Sequence, residues 1–162
     1  MTEPVQAFAY HRSIAPTLGV LLGLAIVETL VLHVIAVALW GWPIAIALGL
    51  LDLSAIAALV GLLRAIRRHP VTIGDGVLTM RLGTLKVIRV PIDRIAGLRP
   101  TWDAAALKQK GVANLALATY PNVVIDLAEP VIVQRRAIHA IAHKMDDPAA
   151  FVAALNRLTP AA

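Results

Sequence analysis

The chain has 162 residues, no cysteine, a formal net charge of +5 and an apolar fraction of 59%. Its mean hydropathy of +0.76 exceeds what a soluble globule carries, so an apolar phase must take up the excess. The missing cysteines exclude disulfides, thiolate metal sites, cysteine nucleophiles and thiol redox chemistry. The positive charge does not point to nucleic acid, because much of it sits at Arg64, Arg67 and Arg68, directly after an apolar run where membrane topology accounts for it.

Residues 1–13 read as a short cytoplasmic segment that carries His11 and Arg12 just before the first span. From Ile14 to Trp40 the chain is apolar except for Thr17, Glu28, Thr29 and His33, and a helix of that length crosses a hydrocarbon core about 30 Å thick with some tilt. Gly41-Trp42-Pro43 makes a turn, with Trp40 and Trp42 as the aromatics expected at headgroup depth. Ile44 to Leu63 is the second span, so residues 14–65 read as a helical hairpin in the bilayer. Such a hairpin satisfies its own backbone hydrogen bonds and returns both ends to one side. Basic residues flank the spans outside the turn, and the positive-inside rule puts both termini in the cytoplasm. Ala36 and Ala38 resemble a signal-cleavage site, but the preceding apolar run is too long for a signal core.

Small residues at close-approach spacing, Gly19 and Gly23 on the first span and Ala45, Gly49, Ala57 and Gly61 on the second, are candidates for the seam between the helices. Helical angles put His33 near the Gly19 and Gly23 face and Asp52 near the Ala45 and Gly49 face, which predicts a His33 to Asp52 hydrogen bond; Glu28 projects from nearly the opposite side. Ionisable groups at membrane depth are expensive, so Glu28, His33 and Asp52 are the sharpest functional candidates. Two uses are open: polar glue between helices or subunits, with Glu28 protonated, and a proton or ion pathway built from several copies.

Beyond His69 the pattern changes to short β-rich runs, the mark of a small antiparallel sheet or barrel over residues 70–162. Expected strands are Val71–Ile73, Val77–Leu82, Leu85–Val90, Ile95–Trp102, Asn114–Thr119, Val123–Leu127, Val131–Gln134 and Ala137–Lys144, with a polar loop from Asp103 to Gly111. Asp146-Asp147-Pro148 then announces a C-terminal helix over 148–158, with Phe151, Leu155 and Leu158 on one face.

Other features have ordinary readings beside the functional ones. His139 and His143, four apart, match a metal spacing, yet two histidines on an exposed strand face account for them. Arg64, Arg67, Arg68, Arg135 and Arg136, extended by Lys108 and Lys110, would attract anionic headgroups if they gather, and otherwise set topology. Trp102, next to Asp103, reads as core packing before an exposed contact. Gly74 and Gly76 fit a hairpin turn, and Ser13 and Ser54 are the only serines. The expectation is therefore no enzyme: no catalytic residue, cofactor, metal, nucleic acid or identified small-molecule substrate.

About seven strands closed by one helix and carried on a membrane hairpin resemble the bacterial pleckstrin-homology-like domains of small membrane proteins. The resemblance rests on Gly74-Asp75-Gly76-Val77, Val90-Pro91-Ile92-Asp93-Arg94-Ile95 and Asp146-Asp147-Pro148-Ala149-Ala150-Phe151. Glu28, Thr29 and His33 in the first span also look like an uncharacterised family of two-span bacterial proteins with such a domain. It implies a scaffold or interaction module at the bacterial plasma membrane, with a protein partner or its own copies bound by the domain, and it supplies no catalytic residues.

Overall fold

The computed structural model describes residues 5–117 and 119–158. Residues 1–4 of the N-terminal segment, position 118 in an expected strand and the tail 159–162 therefore lie outside the described residues. Two long helices, α1 (His11–Trp40) and α2 (Trp42–Arg68), form an antiparallel hairpin. Gly41 carries the reversal at φ +79 and Pro43 opens α2, a pairing of left-handed glycine and early-helix proline that each residue favours. Both helices are long and apolar enough to cross a membrane: their most apolar 18-residue windows have mean hydropathy 2.5 and 2.3 and are almost wholly unburied. Large apolar side chains stand exposed from Val20 to Leu53, far more than an aqueous surface tolerates in one patch.

Strand β1 (Gln6–Phe8) precedes the hairpin, and β2 (Val71–Gly74), β3 (Val77–Leu82) and β4 (Lys86–Pro91) follow it. These four make one antiparallel sheet in the order β1-β2-β3-β4. The β1–β2 register is Gln6 with Ile73, Ala7 with Thr72 and Phe8 with Val71. The chain entering the hairpin thus pairs with the chain leaving it, which fixes both ends on the same side. Within the N-terminal segment, for which the sequence predicts no strand, Gln6–Phe8 is a strand of the domain.

The second sheet, in the order β5-β7-β8-β6, contains β5 (Ile95–Leu98), β6 (Val112–Asn114), β7 (Val123–Val133) and β8 (Arg136–His143). Where two strands were expected, Glu129-Pro130 runs inside the single long β7. Its pairing with β8 breaks register between Asp126 and Val131, the irregularity that accommodates a proline lacking a ladder N–H. The strand expected at 114–119 does not form over its described residues beyond Asn114; the strand in this region is β6, which ends at Asn114 and pairs parallel to β8. A four-residue helix, α3 (Ala104–Leu107), lies in the polar segment, and α4 (Pro148–Leu158) closes the chain. Asp147 accepts from Ala150 N–H to cap α4.

One core joins both sheets to the foot of the hairpin. Ile14 and Leu18 of α1 and Ile66 of α2 are buried in the same cluster as Ile73, Met80, Ile88, Ile125, Ile141, Phe151 and Leu155. Phe151 meets Phe8 edge to face, with ring centroids 5.2 Å apart, so α4 packs on the strand that precedes α1. The described residues thus form a helical hairpin plus a small α+β domain.

Candidate functional site

Asp146, Tyr10 and His143 fasten the domain to the hairpin. Helix α1 carries no acidic residue in its first turn and no side-chain cap of its own, leaving N–H groups that need acceptors. Asp146 supplies them from the far end of the chain. Its carboxylate accepts from Arg12 N–H at 3.0 Å and Ser13 N–H at 2.8 Å, and its own N–H donates to Ala9 O at 3.0 Å. The negative charge also opposes the positive end of the helix dipole. Beside it, the fully buried Tyr10 hydroxyl accepts from Gly83 N–H at 2.7 Å. Burial raises the Tyr10 pKa above its ordinary value, against the Gly83 bond and the charge of Arg81.

His143 lies edge to face against Tyr10, centroids 4.8 Å apart, and is completely buried. Its Nε2 donates to Arg81 O at 2.9 Å, and Nδ1 accepts from Lys144 N–H at 2.8 Å. Nδ1 also lies 3.2 Å from Lys144 O, but its shorter contact is the one that Lys144 N–H donates, which favours the neutral ring protonated at Nε2. Burial pushes its pKa down, against the stabilising carbonyls of Arg81 and Lys144. This corrects the reading of His139 and His143 as an exposed pair. His139 alone is exposed, and no group of three metal-ligating side chains occurs among the described residues.

On the hairpin, Glu28 and Asp52 line one hollow of about 270 Å³ together with Thr29 and Ile56. The helical angles put Glu28 on the face of α1 nearly opposite His33; it is exposed there, and with Asp52 it lines this lateral opening between the helices. His33 lies toward the turn, with its ring at ordinary contact distance from where a Gly49 side chain would begin and edge-on to Trp42. No His33 to Asp52 hydrogen bond occurs among the described residues. Ala45 and Ala36 are buried in the seam, and Gly49 admits the His33 ring. Gly19, Gly23 and Gly61 have open space where a side chain would start, and Ala57 is exposed. These four are on the outer faces.

The basic residues divide. Arg64 and Arg67 line a groove at the foot of the hairpin with Ala15 and Leu63, and Arg68 is exposed at the last turn of α2. Arg136 lines a separate hollow on the domain, and Arg135 is exposed in the β7–β8 turn. That turn places Gln134 and Arg135 at φ +48 and +64, the left-handed pair of a tight hairpin. The end of β7 and the outer face of β3–β4 enclose a groove lined by Arg81, Arg89, Val87 and Ile132. Ile132 is 70% exposed, and neither arginine has an ion-pair partner among the described residues. By contrast Arg99 is paired with Asp126, its Nε at 3.1 Å, which raises the guanidinium pKa. Trp102 is half-buried, and its Nε1 has no partner among the described residues.

Sequence reasoning missed Tyr10, Asp146 as the cap of α1, and the arginine groove. Only the absence of any acidic residue at the start of α1 could have pointed to a cap from elsewhere. Comparison with family models, curated proteins and solved structures found no match.

Proposed function

We propose that this chain is a non-enzymatic, membrane-anchored interaction module of the bacterial plasma membrane, with α1 and α2 crossing the bilayer and both termini in the cytoplasm. The domain, two four-stranded sheets closed by α4, fits the pleckstrin-homology-like reading. The observation that carries the proposal is the double fastening, in which β1 pairs with β2 while Asp146 holds the first turn of α1. A flexible linker would suffice for tethering alone, whereas these contacts hold the domain at a fixed pose beneath the hairpin and so present a fixed surface.

The surface best suited to a protein partner is the groove of Arg81, Arg89, Val87 and Ile132. Unpaired arginines beside exposed aliphatic side chains favour an extended segment carrying carboxylates and apolar residues, from another protein or a second copy. A photo-crosslinker at Ile132 in native membranes tests this. Adducts to one protein, or to a second copy, that disappear in Arg89→Glu are expected. No adduct, or adducts indifferent to Arg89→Glu, would exclude the groove.

One observation favours a second reading: Glu28 and Asp52 share a hollow, as a proton or ion path through an oligomer needs. Liposome proton flux that is lost in Glu28→Gln would put that reading first.

A further inference from the structure

A second hollow on the domain, distinct from the arginine groove, collects positive charge from three separate segments. Lys86 comes from the start of β4, Lys108 and Lys110 from the loop after α3, and Arg136 from the start of β8; together they line a concavity of about 570 Å³ with Gln109 and Gln134. No carboxylate lines it, and none of the four cations has an ion-pair partner among the described residues. Like charges held together destabilise a fold by repulsion, so an arrangement that keeps them convergent calls for a compensating anion.

The backbone holds the arrangement in place. Gly111, at φ +88, ends the lysine loop. Its carbonyl accepts from His139 N–H at 2.9 Å and from Ala140 N–H at 3.3 Å, and Val112 N–H closes the loop on Gln109 O. A side chain at Gly111 would collide with the His139 ring, so the loop lies flat against β8. The left-handed pair Gln134 and Arg135 then turns the chain directly into Arg136.

We infer that this hollow is a binding site for a phosphorylated ligand. Arg136 offers a planar fork for two phosphate oxygens, the lysines offer point charges, and the glutamine amides offer neutral hydrogen bonds to an attached polyol. The volume takes a phosphate together with the group it esterifies. Lys86 stands three residues after Gly83, whose Cα side is packed against Leu62, Ala65 and Ile66 of α2. The hollow therefore opens within about 10 Å of chain from the foot of the hairpin. A lipid headgroup and a free phosphate ester share the chemistry, and the experiment separates them.

The full chain in phosphatidylcholine nanodiscs is titrated calorimetrically with inorganic pyrophosphate. In parallel, native mass spectrometry counts phosphatidylglycerol retained by protein released from mixed phosphatidylcholine and phosphatidylglycerol discs. Saturable pyrophosphate binding weakened roughly tenfold or more in the exposed double variant Lys108→Gln/Lys110→Gln identifies a free phosphate ligand. Selective phosphatidylglycerol retention lost in the same variant identifies a headgroup. Absence of both, or binding equal in variant and parent, overturns the proposal.

Discussion

Ser13 N–H donates to the carboxylate of Asp146 across a sequence separation of 133 residues, at 2.8 Å. The residue just before the cap of the last helix thereby caps the first. The two ends of the described chain meet at the foot of the apolar hairpin, where Asp146 N–H returns a bond to Ala9 O and Phe8 packs on Phe151.

Replacing Asp146 by Ala removes both acceptors from the start of α1. The expected cost is about 1–2 kcal/mol, read as a lower denaturation midpoint of the detergent-solubilised chain. Arg12 and Ser13 amides should exchange faster, while Asp146→Asn should recover part of the loss. Unchanged exchange at those two amides would show that water caps the helix equally well.

Tyr10→Phe keeps the buried ring and leaves Gly83 N–H without its acceptor. The expected destabilisation is about 1–3 kcal/mol, measured by the same denaturation, with amide protection lost at Gly83. Equal stability of parent and variant would remove the hydroxyl from the account.

His143 sets the pH dependence. Burial lowers its folded-state pKa, so below the unfolded value of about 6.5 the unfolded chain binds the extra proton. Its contribution to stability is complete above that pH and is lost as the pH falls toward the folded pKa. Melting temperatures across this range should fall with acidification in the parent and fall less in His143→Gln, whose amide still donates. Parallel curves would contradict the assignment.

Gly111→Ala forces a side chain onto a backbone at φ +88 and into His139. It should cost about 1–3 kcal/mol and shift the amide resonances of His139 and Ala140, whose N–H groups donate to Gly111 O, whereas Gln109→Ala in the same loop should do neither. A silent Gly111→Ala would mean that the loop is not pinned to β8.

Glu28 is exposed on the hairpin and shares a hollow with Asp52. If subunits meet there, Glu28→Leu should weaken self-association in lipid, seen as a smaller assembly by light scattering or crosslinking. An unchanged size would remove the carboxyl from any subunit contact.

The hairpin was legible because hydropathy is a sum over many residues: the spans read at 14–40 and 44–63 lie inside α1 and α2. The role of the helix feet was not legible, because Ile14 and Leu18, inside the span read at 14–40, and Ile66, just past the second span, look like bilayer-facing residues and are buried in the domain core instead. The strands from Val71 to Val90 and helix α4 followed from turn glycines and from Asp147-Pro148. Strand β1 is three residues long and its partner lies beyond the whole hairpin, so no local pattern distinguishes it from coil. The small-residue spacing identified Ala45 and Gly49 together with glycines on the outer face, because period alone sets an angle and not which angle meets a neighbour. The same limit put Glu28 away from the seam with His33, whereas a lateral hollow admits Glu28 and Asp52 from the edges of both helices.

The most direct test of the account uses the natural absence of cysteine. Single cysteines introduced as Val5→Cys, Trp42→Cys and Asn156→Cys are exposed to a membrane-impermeant maleimide in intact bacterial cells whose outer barrier has been removed. The account predicts labelling of the Trp42 position at once, and of the Val5 and Asn156 positions only after the membrane is opened. Labelling of Val5 and Asn156 on different sides, or of all three without permeabilisation, would contradict it.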